Sequence, residues 1–183
     1  TAVNGQPAPM ARDIIDHLPT NEQRSLKQAL FGTESPEERA EYVAAFDFIL
    51  DILARLHSEG VLLLPGTDLG GSFAYHRELE LFETIGLTPA EVLRRASYDM
   101  ATYLGQAEDL GSIEKGKYAD FFLVPGDPTR SLKELRQIRM VVSDGVVYFP
   151  SEIYPWFGIR PFSEIPQVTG VVDTSVPGTA TGN

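Results

Sequence analysis

The tightest constraint on this chain is a long helix that runs with almost no loop into a short apolar stretch. The helix is written in "SPEERAEYVAAFDFILDILARLHSEG", residues 35–60. Ser35 is a good N-cap, Pro36 suits the first helical position, and Glu38 closes a capping box. Tyr42, Ala45, Phe46, Ile49, Leu53 and Leu56 recur at intervals of three and four and so share one face. Gly60 ends the helix. "VLLL", residues 61–64, follows at once. A continuous apolar run in that position reads as a buried strand of a parallel sheet.

The next segments extend the pattern. After the loop "PGTDLGGSFAY" comes a helix, "HRELELFETIG", with Leu79, Phe82 and Ile85 on one side and Gly86 as its stop. A second helix starts at Thr88, with Pro89 first and Glu91 completing a capping box; Val92, Leu93, Ala96 and Met100 face inward. Residues 36–103 therefore read helix, strand, loop, helix, helix, an α/β arrangement. From about residue 105 the chain turns β-rich. Residues 121–124 form a strand closed by Pro-Gly-Asp-Pro, and residues 140–142 and 146–149 flank Ser-Asp-Gly, a short hairpin signal. "SLKELRQIR" reads as one short helical turn. Residues 21–30 read as a short helix, and the last sixteen residues, "VTGVVDTSVPGTATGN", as a loose tail. The expected divisions are 1–106, 107–150 and 151–183.

Charge and composition exclude whole classes of partner. The net charge is -11 and there is no Lys/Arg-rich run, so nucleic acid and anionic membrane are not expected partners. No apolar run approaches the roughly 20 residues of a membrane span. The chain has no cysteine, which removes disulfides, thiolate metal sites and cysteine nucleophiles. A soluble protein is expected, with cytoplasm and periplasm or secretion both left open. The opening "TAVNGQPAPMARD" carries neither an initiator Met nor a leader pattern and reads as the start of a fragment or a processed product.

One carboxylate stands out. Asp68 follows the apolar run in "VLLLPGTDLGGS", and the C-terminal end of a parallel strand is where α/β enzymes place catalytic groups. Asp68 could bind a metal or act as a base; equally, it could cap the following turn through its own side chain. A phosphate cradle is disfavoured, because the glycine spacing is wrong, no Lys follows and an acid in the loop repels phosphate.

Taken in order, "VLLLPGTD", "HRELELFETIGLTPAEVLRRAS", "LGSIEKGKYADFFLVPGDP" and "IRMVVSDGVVY" resemble the C-terminal part of metal-dependent amidohydrolases, in the branch with imidazolonepropionase-like and prolidase-like members. "YPWFGIRPF" resembles a closing segment of that branch. The resemblance covers roughly residues 40–165. It implies the C-terminal portion of a (β/α)₈ barrel, with residues 61–64 as its last strand, joined to part of a small β-sandwich. It implies hydrolysis of a C–N bond in a linear or cyclic amide or a dipeptide through metal-activated water. Asp68 would be a metal ligand and would handle the proton of the attacking water; the metal's charge then offsets the cost of placing an acid there. Gly66, Thr67 and Leu69 would shape the loop near the substrate, and His76 would either face the substrate or pack at the helix start.

The rest of the family's metal site is not found. That site uses a His-x-His pair and further ligands earlier in the barrel, and none of those patterns occurs here. Of the three histidines, His17 and His57 read as packing or surface residues, His57 near a helix C-terminus where its charge is favoured. One ligand is short of the roughly three that a zinc site takes from protein. A divalent metal, zinc in one or two ions, is expected with most of its ligands elsewhere. The expected partners are a small amide or peptide substrate, the N-terminal half of the same protein and, as an open option, a second copy. The alternative is a truncated, non-catalytic relative serving as an interaction or ligand-binding module.

Overall fold

The computed structural model describes residues 7, 11–28, 35–68 and 72–167. Helices come first: a 3₁₀ turn Ile15–His17, α1 Thr20–Leu26, α2 Pro36–Ser58, α3 Ser72–Thr84, and α4 Pro89–Arg94. α4 continues through a π turn, Arg95–Asp99, into α5, Met100–Tyr103. A three-stranded antiparallel sheet follows in the order β1 (Phe121–Leu123), β2 (Met140–Ser143), β3 (Val146–Tyr148). A 3₁₀ turn, Leu132–Gln137, connects β1 to β2, and the chain closes with α6, Pro150–Ile153, and a 3₁₀ turn, Tyr154–Phe157.

Local chemistry explains most boundaries. The Ser35 side chain accepts the Glu38 amide at 3.1 Å, and Gly60 takes the left-handed conformation (φ 79°) that ends α2. Thr88 and Glu91 exchange reciprocal bonds at the start of α4, at 3.3 and 2.8 Å. The hairpin turns on Asp144 and Gly145, both at positive φ (50° and 73°), which matches the twist of the strands on either side. The Asp120 carboxylate also accepts the Asp144 amide at 2.9 Å.

The core lies where α3, α4 and the 132–137 turn meet. Leu79, Phe82, Ile85, Leu87, Val92, Leu132 and Leu135 form one buried cluster, and Leu50, Leu53, Ala54 and Leu63 pack against it. The face that reaches the core is largely not the one the spacing predicts: of the expected residues only Leu53 packs there, joined by Leu50 and Ala54, while Ile49 and Leu56 stay exposed. Tyr42 (58% exposed) and Phe46 (43%) project away from it.

Two further expectations are corrected. Residues 61–64 form no strand: among the described residues the three strands all belong to the antiparallel sheet, and none lies beside this run. A parallel strand exists only through its neighbours' hydrogen bonds, so Val61 and Leu62 stay exposed while Leu63 alone packs inward. α3 also begins four residues early, at Ser72 rather than at His76. "SFAY" contains no helix breaker, so the helix extends back toward the glycines.

Glycine is required at one point in the loop that leads into β1. Gly111 has φ 86°, and a Cβ there would lie 2.7 Å from the Ala101 Cβ and 2.9 Å from the Tyr98 Cα. Gly116 has φ 100° but open space around it. Gly111→Ala is expected to cost about 2 kcal/mol or more, backbone strain plus overpacking. Gly116→Ala should cost only the strain. Equal losses in a thermal-unfolding comparison would refute the close contact.

Candidate functional site

Asp68 sits four residues before the start of α3, with its side chain exposed. Its backbone is left-handed, φ 49°, a conformation that costs an L-residue about 1 kcal/mol or more. Asp tolerates it better than most residues because its short carboxylate can bond locally. The approach to Asp68 is held on two sides. Pro65 is buried, and the Gly66 amide donates to Oε1 of Glu78, on α3, at 3.4 Å. Thr67 is half-buried. Leu69, the remaining expected loop residue, lies outside the described residues.

His76 falls on the second turn of α3 and is half-buried. Burial pulls its imidazole pKa below 6.5; the Arg136 charge lowers it further, and Glu80 acts in the opposite sense. The ring is therefore neutral at pH 7, with one nitrogen able to donate and the other to accept. The Tyr75 phenol, one residue earlier, is pushed up by burial and by the charge of Glu78.

Next to His76 is an ion network that the sequence did not reveal. The Arg136 side chain is only 9% exposed. Its Nη1 donates to Oδ2 of Asp13 at 2.8 Å and its Nη2 to Oε1 of Glu80. Glu80 also accepts from Arg77 at 3.1 Å, and Lys133 lies 3.7 Å from Asp13. Hydrogen bonding to Arg136 holds the Asp13 carboxyl below 3.8, and the charges of Lys133 and Arg136 reinforce it against burial. One guanidinium thus ties together the 3₁₀ turn before β2, helix α3 and the first described segment. No local signal marks this: the partners stand 123 and 56 residues from Arg136.

The other two histidines lie elsewhere in the fold. The His17 ring stacks on Phe162 at 3.8 Å, and its Nδ1 is bonded to the Arg160 carbonyl at 2.8 Å. His57 lies in the last turn of α2. Among the described residues no three His, Asp or Glu side chains converge where they could hold a metal ion. Asp68 suits a metal as a single exposed oxygen donor, so a complete site needs donors beyond these residues. Two surface clefts run along α2, one lined by Phe48, Ile52 and Arg55, the other by Val43 and Asp47; neither touches Asp68. No described helix is long and apolar enough to cross a membrane.

Comparison with known proteins adds the following. Residues 19–148 match the sequence profile of the amidohydrolase family. Among solved structures, the chain is similar to a Xaa-Pro dipeptidase crystallised with methionine in its active site: 28% identity and a TM-score of 0.54, over 62% of this chain and 29% of that one. It is similar also to a crystallised amidohydrolase, at 28% identity and a TM-score of 0.53, over 74% of this chain and 32% of that one. The chain thus spans under a third of the length of either structure. No curated protein matches it.

Proposed function

Because the chain belongs to the amidohydrolase family, in its prolidase-like branch, we propose that it is the C-terminal part of a metal-dependent hydrolase of carbon–nitrogen bonds. The observation that carries this reading is Asp68: an exposed carboxylate in a left-handed turn, between a buried proline and α3, inside the span that matches the family. In the whole protein, residues 61–64 would pair as the last strand of a barrel once neighbouring strands flank them, and β1–β3 would belong to a small sandwich. The exposed face of α2, with Tyr42 and Phe46, would pack on the preceding part of the same protein.

Asp68 would be one ligand of the metal. A divalent ion held there would supply Lewis-acid activation of water and of the amide carbonyl, and zinc, which accepts carboxylate oxygen as a donor, fits Asp68. The Asp68 carboxylate accepts a proton from the attacking water and delivers it to the departing amine nitrogen, so one group serves both halves of the reaction. His76, neutral at pH 7, offers a donor or an acceptor to the substrate without adding charge beside the metal. Gly66, Thr67 and Leu69 shape the loop around the reacting amide. The substrate class is a small amide, a cyclic amide or a dipeptide.

Stripping the intact protein of divalent metal with a strong chelator should abolish turnover of such compounds, and zinc should restore it. Hydrolysis that survives complete metal removal would refute the proposal. The lack of a three-donor cluster among the described residues favours, as the second reading, a non-catalytic relative. Tight uptake of a ligand by the metal-free intact protein, with no turnover after metal is returned, would establish that reading instead.

A further inference from the structure

The segment after β3 does not trail away from the molecule. It crosses back over three separate elements. The Arg160 amide donates to the His17 carbonyl at 2.7 Å, and the His17 ring nitrogen is bonded back to the Arg160 carbonyl at 2.8 Å. A Cβ on Gly158, which is at φ 68°, would lie 3.3 Å from the Pro19 ring. The Ser163 hydroxyl donates to the Ile138 carbonyl at 2.9 Å. Between these ties, the Phe162 ring stacks on His17 at 3.8 Å and meets Tyr154 edge-on at 5.9 Å. It also meets Phe73, in the first turn of α3, at 5.7 Å. Phe73 in turn faces His76 at 6.5 Å. A run of rings, His17–Phe162–Phe73–His76, thus ends on the helix that follows the Asp68 loop.

We propose that residues 154–163 are a positioning strap and that Phe162 is a positioning residue for Asp68 and His76; the catalytic sense of this rests on the amidohydrolase reading above. The reasoning is mechanical. A helix moves as a unit, and α3 is fixed to the core at Leu79 and Phe82. Its first turn is held twice: Tyr75 packs against the same cluster, and Phe162 meets Phe73. The loop entrance is held by Pro65 and by the Gly66–Glu78 bond. Asp68 therefore lies between a restrained loop entrance and a restrained helix start. A strained non-glycine conformation persists only where the surroundings over-determine it. Releasing Phe162 leaves Tyr75 as the remaining tether of that turn and lets Phe73 shift, which moves His76 and Asp68 off position.

The test uses the intact, metal-loaded protein with Phe162→Ala, Phe162→Leu and Phe162→Tyr. Trp156 is the sole tryptophan, lies in the strap and is 82% exposed, so its fluorescence anisotropy reports undocking without reference to activity. Phe162→Ala should lower that anisotropy and speed amide exchange over residues 65–76. It should also lower kcat by about 10–100-fold with KM changed by less than about threefold, the size expected when a supporting contact is lost. Phe162→Tyr, which keeps the ring, should recover most of the rate. Phe162→Leu, which keeps an apolar side chain without the stack, should fall between and covers the case in which the alanine variant does not fold. Exchange over 65–76 that stays at the parent level in the alanine variant, or in the leucine variant if alanine does not fold, overturns the strap. So does a parent-level kcat in a variant whose anisotropy has fallen. Asp68→Ala is run alongside. If it keeps full hydrolysis the amidohydrolase role of Asp68 fails, while the exchange and anisotropy results still decide whether the strap holds the loop.

Discussion

Replacing Asp68 with alanine in the intact, metal-loaded protein should lower kcat by about 10²–10⁴-fold, the range for a positioned acid–base group. The fold should survive, because the side chain is exposed and belongs to no core cluster. Asp68→Gly makes the separation sharper. Glycine adopts φ near 49° at no steric cost, so this variant should unfold no more easily than the parent and yet be equally inactive. A residue kept where another would be more stable is the usual mark of a functional site. Either variant retaining a tenth or more of the parent rate would remove Asp68 from the chemistry. Loss of rate with a matching loss of structure would show that its role is only in the turn.

The second large effect is expected at Arg136. Its side chain is 9% exposed and its partner Glu80 18%. Removing one member of such a pair costs about 3 kcal/mol, at the low end of the range for a buried pair, since Glu80 keeps its charge with only Arg77 left beside it. Arg136→Ala should therefore lower the thermal midpoint by about 10 °C, at the roughly 2–4 °C per kcal/mol of a domain this size. Arg136→Lys should recover only part, because an ammonium does not reproduce the fork that reaches Asp13 and Glu80 together. The double variant Arg136→Met with Glu80→Leu, which removes both charges, should be more stable than Arg136→Met alone. The pH dependence carries its own sign. Asp13 has a folded pKa below its ordinary 3.8, so its contribution is full above that value and is lost as pH falls through the lower folded value. Arg136→Ala should shrink that acid limb, leaving only the part that Lys133 supplies. An Arg136→Ala midpoint within a degree or two of the parent would mean that the network is dispensable.

What could be read from the sequence was local. The Ser35 and Thr88 caps, the Gly60 and Gly86 stops, the Asp-Gly hairpin and the short turn in "SLKELRQIR" all depend on residues within four or five positions of one another, and each is found. What failed depended on neighbours. Residues 61–64 have the composition of a buried strand, but a strand is a relation between segments. His76 lies one turn inside α3 rather than at its start, because the four residues before it are already helical. Asp68 was visible from its position after an apolar run, whereas the groups that hold its surroundings were not. Glu78, Arg136 and Phe162 look in the sequence like ordinary helix, turn and tail residues. Their partners lie 12, 56 and 145 positions away, the last counted from His17 to Phe162.

The Arg136 network also has a consequence for how the chain assembles during synthesis. Chains emerge from the ribosome N-terminus first, so Glu80 waits 56 residues and Asp13 123 residues for the same cation. The doubling of that span adds only about 0.6 kcal/mol of closure entropy; the larger effect is on timing. Leu132 and Leu135 of the core cluster arrive with Arg136, so the apolar and ionic closures come together, late, as one event. Until then α3 has its helical bonds and the local Arg77–Glu80 pair but neither its full core nor the bond from Arg136. A ribosome paused before residue 132 would hold a nascent chain with exposed leucines, the kind of surface that chaperones bind.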